Sequence, residues 1–272
     1  MLELFHAAPS YYSMVARLAL AEAGIATTSR LLDIHVAKQQ LSDAYRALNP
    51  HMTVPTLRGP ELLLTDSSEI LAFAAAHAGA SWADADPAVA PAIRAAVQGH
   101  YAISIETLTF SKVLASRPWL KPLVARMLSG LSSQLEQRAA HTAVDPAALL
   151  AKAQQDRERL QTLTATPAAE TLAAMRAQVR AYLHGLPPVV DGAWLFGSRL
   201  SSADVVLAVL LARLSMAAEL PLLDRQDLQH WWQRYQGRPA VTAADLWTRF
   251  QRRRFVKALL EAPRTPILSL AA

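Results

Sequence analysis

Two neighbouring stretches decide the reading of this chain: LNPHMTVPTL at residues 48–57 and LTDSSEIL at residues 64–71. Pro55 opens an apolar run that reads as an edge strand, where a proline is tolerated. A cis Val54–Pro55 bond there would expose the Val54 N–H and C=O. An extended peptide could pair with them as an added strand does. Asp66 and Ser67 open a helical run. Free N–H groups, the Ser67 hydroxyl and the helix dipole together suit a carboxylate, and Asp66 offers a negative charge to an amine. Taken singly, each motif reads as an ordinary strand start or an ordinary helix cap. Taken together, in this order, they describe a receptor for a peptide with a carboxylate and an amine at one end.

Working outward, the pattern around these stretches is mixed. Residues 2–6 alternate like a short strand, and MVARLALAEAG from Met14 has helical spacing with Gly24 at its C-cap. Residues 29–36 read as a second strand and residues 38–48 as a weaker helix. Apolar runs on either side of Gly59-Pro60 read as a hairpin, and the helix opened by Asp66 continues to His77. The order β-α-β-α-β-β-α, a parallel unit followed by an antiparallel one, predicts a thioredoxin-like domain over residues 1–80. AGASWADADPAVAP reads as a linker.

From residue 87 to residue 272 the pattern is helical throughout, which predicts an all-helical C-terminal domain. Asp145 and Pro146 mark one helix start. Thr166 and Pro167 mark another, which ends near Gly185. In LFGSRLSSADVVLAVLLARL, residues 195–214, Ser201 and Asp204 form a capping box. The helix behind it is apolar on nearly every side, so it reads as the central core helix. Asp204 is therefore a structural cap.

Composition bounds the function. The 272 residues are 52% hydrophobic, carry a formal charge of +5 and include no cysteine. Disulfides, thiolate metal sites and cysteine nucleophiles are excluded, and no residue pattern calls for a metal. No charge-free run of about 18 residues reads as a membrane span. The N-terminus does not read as a signal peptide, so a cytoplasmic protein is expected. Much of the positive charge falls in RFQRRRFVK, residues 249–257. It reads as a solvated helix end, with membrane-surface contact through residues 249–260 as the sharper alternative. The repeated aromatic and basic signatures of nucleic-acid modules are missing, so no nucleic-acid partner is expected.

VPTL with DSSEI resembles the glutathione-binding motifs of the glutathione transferase superfamily, and LFGSRLSSAD resembles the capping motif of its C-terminal domain. The resemblance covers most of the chain. SYYSMVARLALAEAGI, from Ser10, with LNPHMTVPTL and LSSADVVLAVLLARL looks closest to the bacterial tetrachlorohydroquinone dehalogenase-like group, and more weakly resembles the zeta class and the ganglioside-induced differentiation-associated type. One departure is informative: where the dehalogenase-like and zeta groups carry a cysteine in the first turn, this chain has Tyr12. The resemblance therefore implies no cysteine-dependent reductive dehalogenation. It implies activation of glutathione's own thiol by a hydroxyl, with Ser10 the first candidate and Ser13 and Tyr12 next. Val54, Pro55, Asp66 and Ser67 would hold glutathione. Thr53 replaces the usual lysine or glutamine, and His51 is the candidate to take over its contact.

The electrophile pocket is expected from Tyr11 and from a long helix spanning QGHYAISIETLTF, through His100, Tyr101, Ser104, Ile105 and Phe110. About 85 residues separate that helix from residue 195, which suggests inserted helices. Arg17 is expected in a structural ion pair. Two functions follow: a transferase joining glutathione to a hydrophobic small molecule or using it in a related glutathione-dependent reaction, or a non-catalytic module on the same fold that binds a protein partner or hydrophobic ligand. A homodimer is implied by resemblance alone.

Overall fold

The computed structural model describes residues 1–190, 192–247, 261 and 267–268. The chain runs β1 (Leu2–His6), α1 (Tyr11–Glu22), β2 (Thr27–Leu31), α2 (Asp43–Leu48), β3 (Thr56–Arg58), β4 (Leu63–Leu64) and α3 (Ser67–Ala78). Helices follow: α4 (Ala90–Tyr101), α5 (Ile105–Ser116), α6 (Lys121–His141), α7 (Pro146–Ala165), α8 (Ala168–Gly185), α9 (Ser202–Met216), α10 (Gln226–Tyr235) and α11 (Pro239–Ala243). A small mixed sheet followed by helices is the thioredoxin-like plus all-helical architecture expected. The residues group into two compact units. One comprises Met1–Leu31, Val54–Ser104 and Arg176–Arg249; the other comprises Leu32–Thr53, Ile105–Met175 and Phe250–Ala272.

In the first unit the sheet has the order β2-β1-β3-β4. β1 is parallel to β2, with Leu2 opposite Thr27, and antiparallel to β3, with Phe5 opposite Thr56. β4 returns antiparallel to β3. Parallel neighbours need a crossover, and α1 supplies it. Ala16 and Leu20, one turn apart on α1, pack with Leu4, Leu57 and Ile70 into one apolar cluster. Gly24 ends the α1 turn at φ +69°, a region few side chains adopt. α9 is the core helix: every residue from Ala203 to Ala212 is buried.

In the second unit α6 and α7 pack together, joined by residues 142–145, a length that suits antiparallel neighbours. Leu135 and Ala139 of α6 meet Leu149 and Ala153 of α7 over Leu41 and Met52. Asp145 caps α7 by accepting the Ala148 N–H, and Pro146 holds its first position. These elements fill the long interval read as inserted helices.

Four expectations shift. The second strand spans Thr27–Leu31 rather than 29–36, because the Asp33 carboxylate accepts the amides of His35 and Val36 and turns the chain out of the ladder. The helix expected over 38–48 is a single 3-10 turn at Gln39–Leu41, then α2. Lys38 is left-handed, and Ser42 recaps the chain. The stretch read as a linker is docked: Trp82 and Ala83 are buried, and the Ala83 N–H donates to the Leu200 carbonyl at 2.7 Å. The long helix read through His100 breaks after Tyr101. There the Ile103 N–H folds back to the His100 carbonyl and the Ile103 side chain is buried. Among the described residues no helix is long and apolar enough to cross a membrane. The basic stretch 249–257, with its extension to 260, lies outside the described residues.

Candidate functional site

The strand directions gather the candidate residues. β1 and β4 run alike and β3 runs against them. The chain leaving β1, the chain entering β3 and the chain leaving β4 therefore lie at one end of the sheet. Those three segments carry Ala7–Ser10, Val54–Pro55 and Asp66–Ser67. The carboxyl end of such strands, where helix starts converge, is where ligands of α/β sheets bind.

Ser10 is the N-cap of α1, and its Oγ accepts the Ser13 N–H at 3.3 Å. A capping hydroxyl spends a lone pair on the helix and keeps its hydrogen for another acceptor. Ser13 is 0% exposed, and its Oγ accepts the Ala7 N–H at 3.3 Å. That serine holds the loop rather than facing outward. Tyr12 is 37% exposed. Burial of part of its ring, and then the nearby Asp66, raise its pKa, so the phenol stays protonated and keeps a hydrogen to donate. Arg17 donates to the carbonyls of Ala7, Ala8, Ala244 and Asp245 and contacts the His6 ring. It thus ties the loop down through backbone carbonyls, and the Asp245 carboxylate supplies an attractive charge to it.

The Val54–Pro55 bond is cis. Neither the N–H nor the C=O of Val54 bonds to a described residue. At the start of α3 Asp66 is the N-cap in a full capping box with Glu69, and its carboxylate accepts the Ser68 N–H at 2.7 Å. Ser67 is 1% exposed, and its hydroxyl bonds to the Tyr101 hydroxyl at 3.0 Å. Tyr101 in turn stacks on Tyr12, centroids 6.0 Å apart and rings 8° from parallel, an offset stack. Ser67, Tyr101 and Tyr12 thus form one continuous contact across α3, α4 and α1.

Behind this surface lies a buried polar cluster. The Tyr11 hydroxyl contacts His100 Nε2 at 3.2 Å, and the Arg213 guanidinium sits 5.6 Å over the Tyr11 ring. Arg213 also donates to the Pro9 carbonyl at 2.8 Å, pinning the loop ahead of Ser10. Burial lowers the His100 pKa to about 3 and raises the Tyr11 and Tyr182 phenols well above their usual range. His100 is therefore neutral. Its Nδ1 and the Tyr182 hydroxyl are buried without a partner among the described residues. Sequence reasoning missed Arg213 as a contributor. The signal was a cation interrupting the apolar run of the core helix.

The other candidates fall elsewhere. Ser104 is exposed in the break between α4 and α5. His51 and Ile105 belong to the second unit: His51 is exposed and donates its N–H to Asn49, while Ile105 is buried. In that unit the Tyr45 hydroxyl and the Asn49 amide both donate to the Thr53 carbonyl. Asp204 holds four hydrogens, from the N–H groups of Leu195 and Ser201, the Ser201 hydroxyl and the Trp231 ring. Burial raises its pKa to about 6 despite those bonds. Ser201 and Asp204 are the structural cap expected. One open cavity of about 250 Å³ lies at Val189, Asp227, His230 and Arg234, and none of the candidate residues lines it.

Residues 4–82 match the family model for the glutathione S-transferase N-terminal domain, and residues 141–239 match the model for the glutathione S-transferase C-terminal domain. The chain belongs to the glutathione S-transferase superfamily. No curated protein matches it. Among solved structures it is similar to a glutathione S-transferase from Rhodospirillum rubrum, at 20% identity and a TM-score of 0.55, covering 93% of this chain and 94% of that one. It is also similar to human glutathione-S-transferase T1-1, at 21% identity and a TM-score of 0.52, covering 98% and 92%. A third is a glutathione transferase homologue from sulfitobacter solved with bound glutathione, at 21% identity and a TM-score of 0.51, covering 90% and 97%.

Proposed function

We propose that this protein is a glutathione transferase that binds glutathione at the carboxyl end of its sheet and joins its thiol to an apolar electrophile. One observation carries the reading. The open backbone of Val54, the Asp66–Ser67 helix start and the Ser10 hydroxyl are brought to one end of one sheet. The cysteinyl unit pairs with Val54, the γ-glutamyl carboxylate meets Ser67, and Asp66 faces the amine.

The chemistry is thiolate stabilisation. A free thiol has a pKa near 8.5, so only a few per cent is ionised at neutral pH. The Ser10 hydrogen, donated to sulfur, favours the anion, and one such bond suffices for about a tenfold gain in thiolate. Tyr12 is the second donor candidate. With no cysteine in the chain, an enzyme mixed disulfide has no residue to form it.

Within the superfamily the first turn supports a place near the dehalogenase-like and zeta groups, without their thiol chemistry. The proposal includes a division at residues 1–80 and 87–272, a two-fold dimer and a cytoplasmic setting. His51 as a contact to the glycine end belongs to it too, as do Tyr11, His100, Tyr101, Ser104 and Ile105 near the electrophile. A non-catalytic binding module remains the second reading, because the Ser67 hydroxyl is already engaged by Tyr101. Calorimetric titration with glutathione tests both. Submillimolar binding with heat from one site per chain is expected, and no binding at millimolar glutathione would sink the transferase reading.

A further inference from the structure

We propose that Tyr101 is a latch on the glutathione site: its phenol occupies the Ser67 hydroxyl, and the γ-glutamyl carboxylate must displace it to bind. The inference rests on the glutathione reading above and deepens it.

Three observations carry it. Ser67 is 1% exposed, so no ligand reaches its hydroxyl while the neighbouring groups stay where they are. The group bonded to that hydroxyl is the Tyr101 phenol at 3.0 Å. Tyr101 is the last residue of α4, at the point where the helix breaks before Ile105. A side chain at a helix end next to a three-residue break has a shorter path to a new rotamer than one in mid-helix, where the next turn hems it in. A carboxylate is also the stronger acceptor. A hydrogen bond to a charged group outcompetes one between two neutral hydroxyls.

Displacement has a second consequence. Tyr101 covers one face of Tyr12 by stacking. When the phenol leaves Ser67, that face of Tyr12 is uncovered beside the thiol-activating turn, where an apolar electrophile needs an aromatic wall. Glutathione binding thereby prepares the second subsite, and the two ligands bind in the order glutathione first. The latch costs affinity, because the free protein must give up a satisfied bond.

The test is calorimetry on the full chain with wild type, Tyr101→Phe, Ser67→Ala and the double variant. The probes are glutathione and γ-aminobutyryl-cysteinylglycine, which is glutathione without the γ-glutamyl carboxylate. The phenylalanine keeps the ring and the stack and removes the competing hydroxyl. Tyr101→Phe is expected to bind glutathione roughly threefold to tenfold more tightly, the worth of one neutral hydrogen bond. Its affinity for the analogue stays unchanged, and Ser67→Ala abolishes the gain. Equal or weaker binding of glutathione by Tyr101→Phe overturns the latch, as does an equal gain for the analogue. Absence of binding by wild type and Tyr101→Phe alike removes the glutathione reading itself, and the latch with it.

Discussion

Ser10 meets one donor and can serve one acceptor with a single hydroxyl. Its oxygen takes the Ser13 N–H, and under the proposed function its hydrogen goes to the glutathione sulfur. Ser10→Ala removes both roles, and the two losses are separable. The cap costs about 1 kcal/mol of stability. Loss of one charge-assisted bond lowers the thiolate fraction of bound glutathione by roughly tenfold. Ultraviolet difference absorbance of the protein mixed with glutathione across pH measures the second, and urea unfolding the first. A variant with unchanged thiolate absorbance would pass the role to Tyr12, whose raised pKa keeps it a donor. Ser13→Ala removes the acceptor of the Ala7 N–H and acts on the loop alone.

At the scale of elements, α9 is buried along nearly its whole length, and its start needs acceptors inside the core. Buried helix N–H groups need acceptors. Asp204 and Ser201 answer from inside, and Asp84 accepts the Ser202 N–H at 2.9 Å from the docked stretch after α3. Asp204→Ala strands the N–H groups of Leu195, Ser201 and Trp231 in the interior at once. A loss of about 3 kcal/mol or more is expected from such an orphaned set, read as a lower urea midpoint. The mirror variant Ser201→Ala loses the cap but leaves the carboxylate its other donors, so it falls nearer 1 kcal/mol.

For the whole molecule, buried titrating groups set the response to acid. His6 and His100 are held neutral by burial, with pKa lowered to about 4 and about 3. The unfolded chain takes up those protons near pH 6.5 and the folded chain does not, so stability falls as pH drops below that value. Asp204 runs the other way. With its pKa raised to about 6, the folded state takes a proton before the unfolded one, so stability rises as pH falls from about 6 toward 4. Burial also raises the Asp156 pKa, which acts in the same direction as Asp204, and the two larger histidine shifts outweigh both. The urea midpoint is expected to decline between pH 6.5 and 4, and His100→Gln to flatten that decline. A midpoint that rises through this window would contradict the burial of both rings.

The sequence by itself determined the order of elements, the capping boxes, the core helix and the pairing of Val-Pro with Asp-Ser. Each of these is written in nearest neighbours: a period of apolar residues, a proline, a hydroxyl three residues before an acid. It could not place Ser13 inside and Tyr12 outside, since both belong to one turn and only packing chooses between them. Nor could it show that Tyr101 reaches Ser67, that Tyr11 meets His100, or that Arg213 pins the loop at Pro9. Those contacts join residues 34, 89 and 204 positions apart. Local pattern carries no information on such meetings, because they exist only once the helices have packed around a shared core.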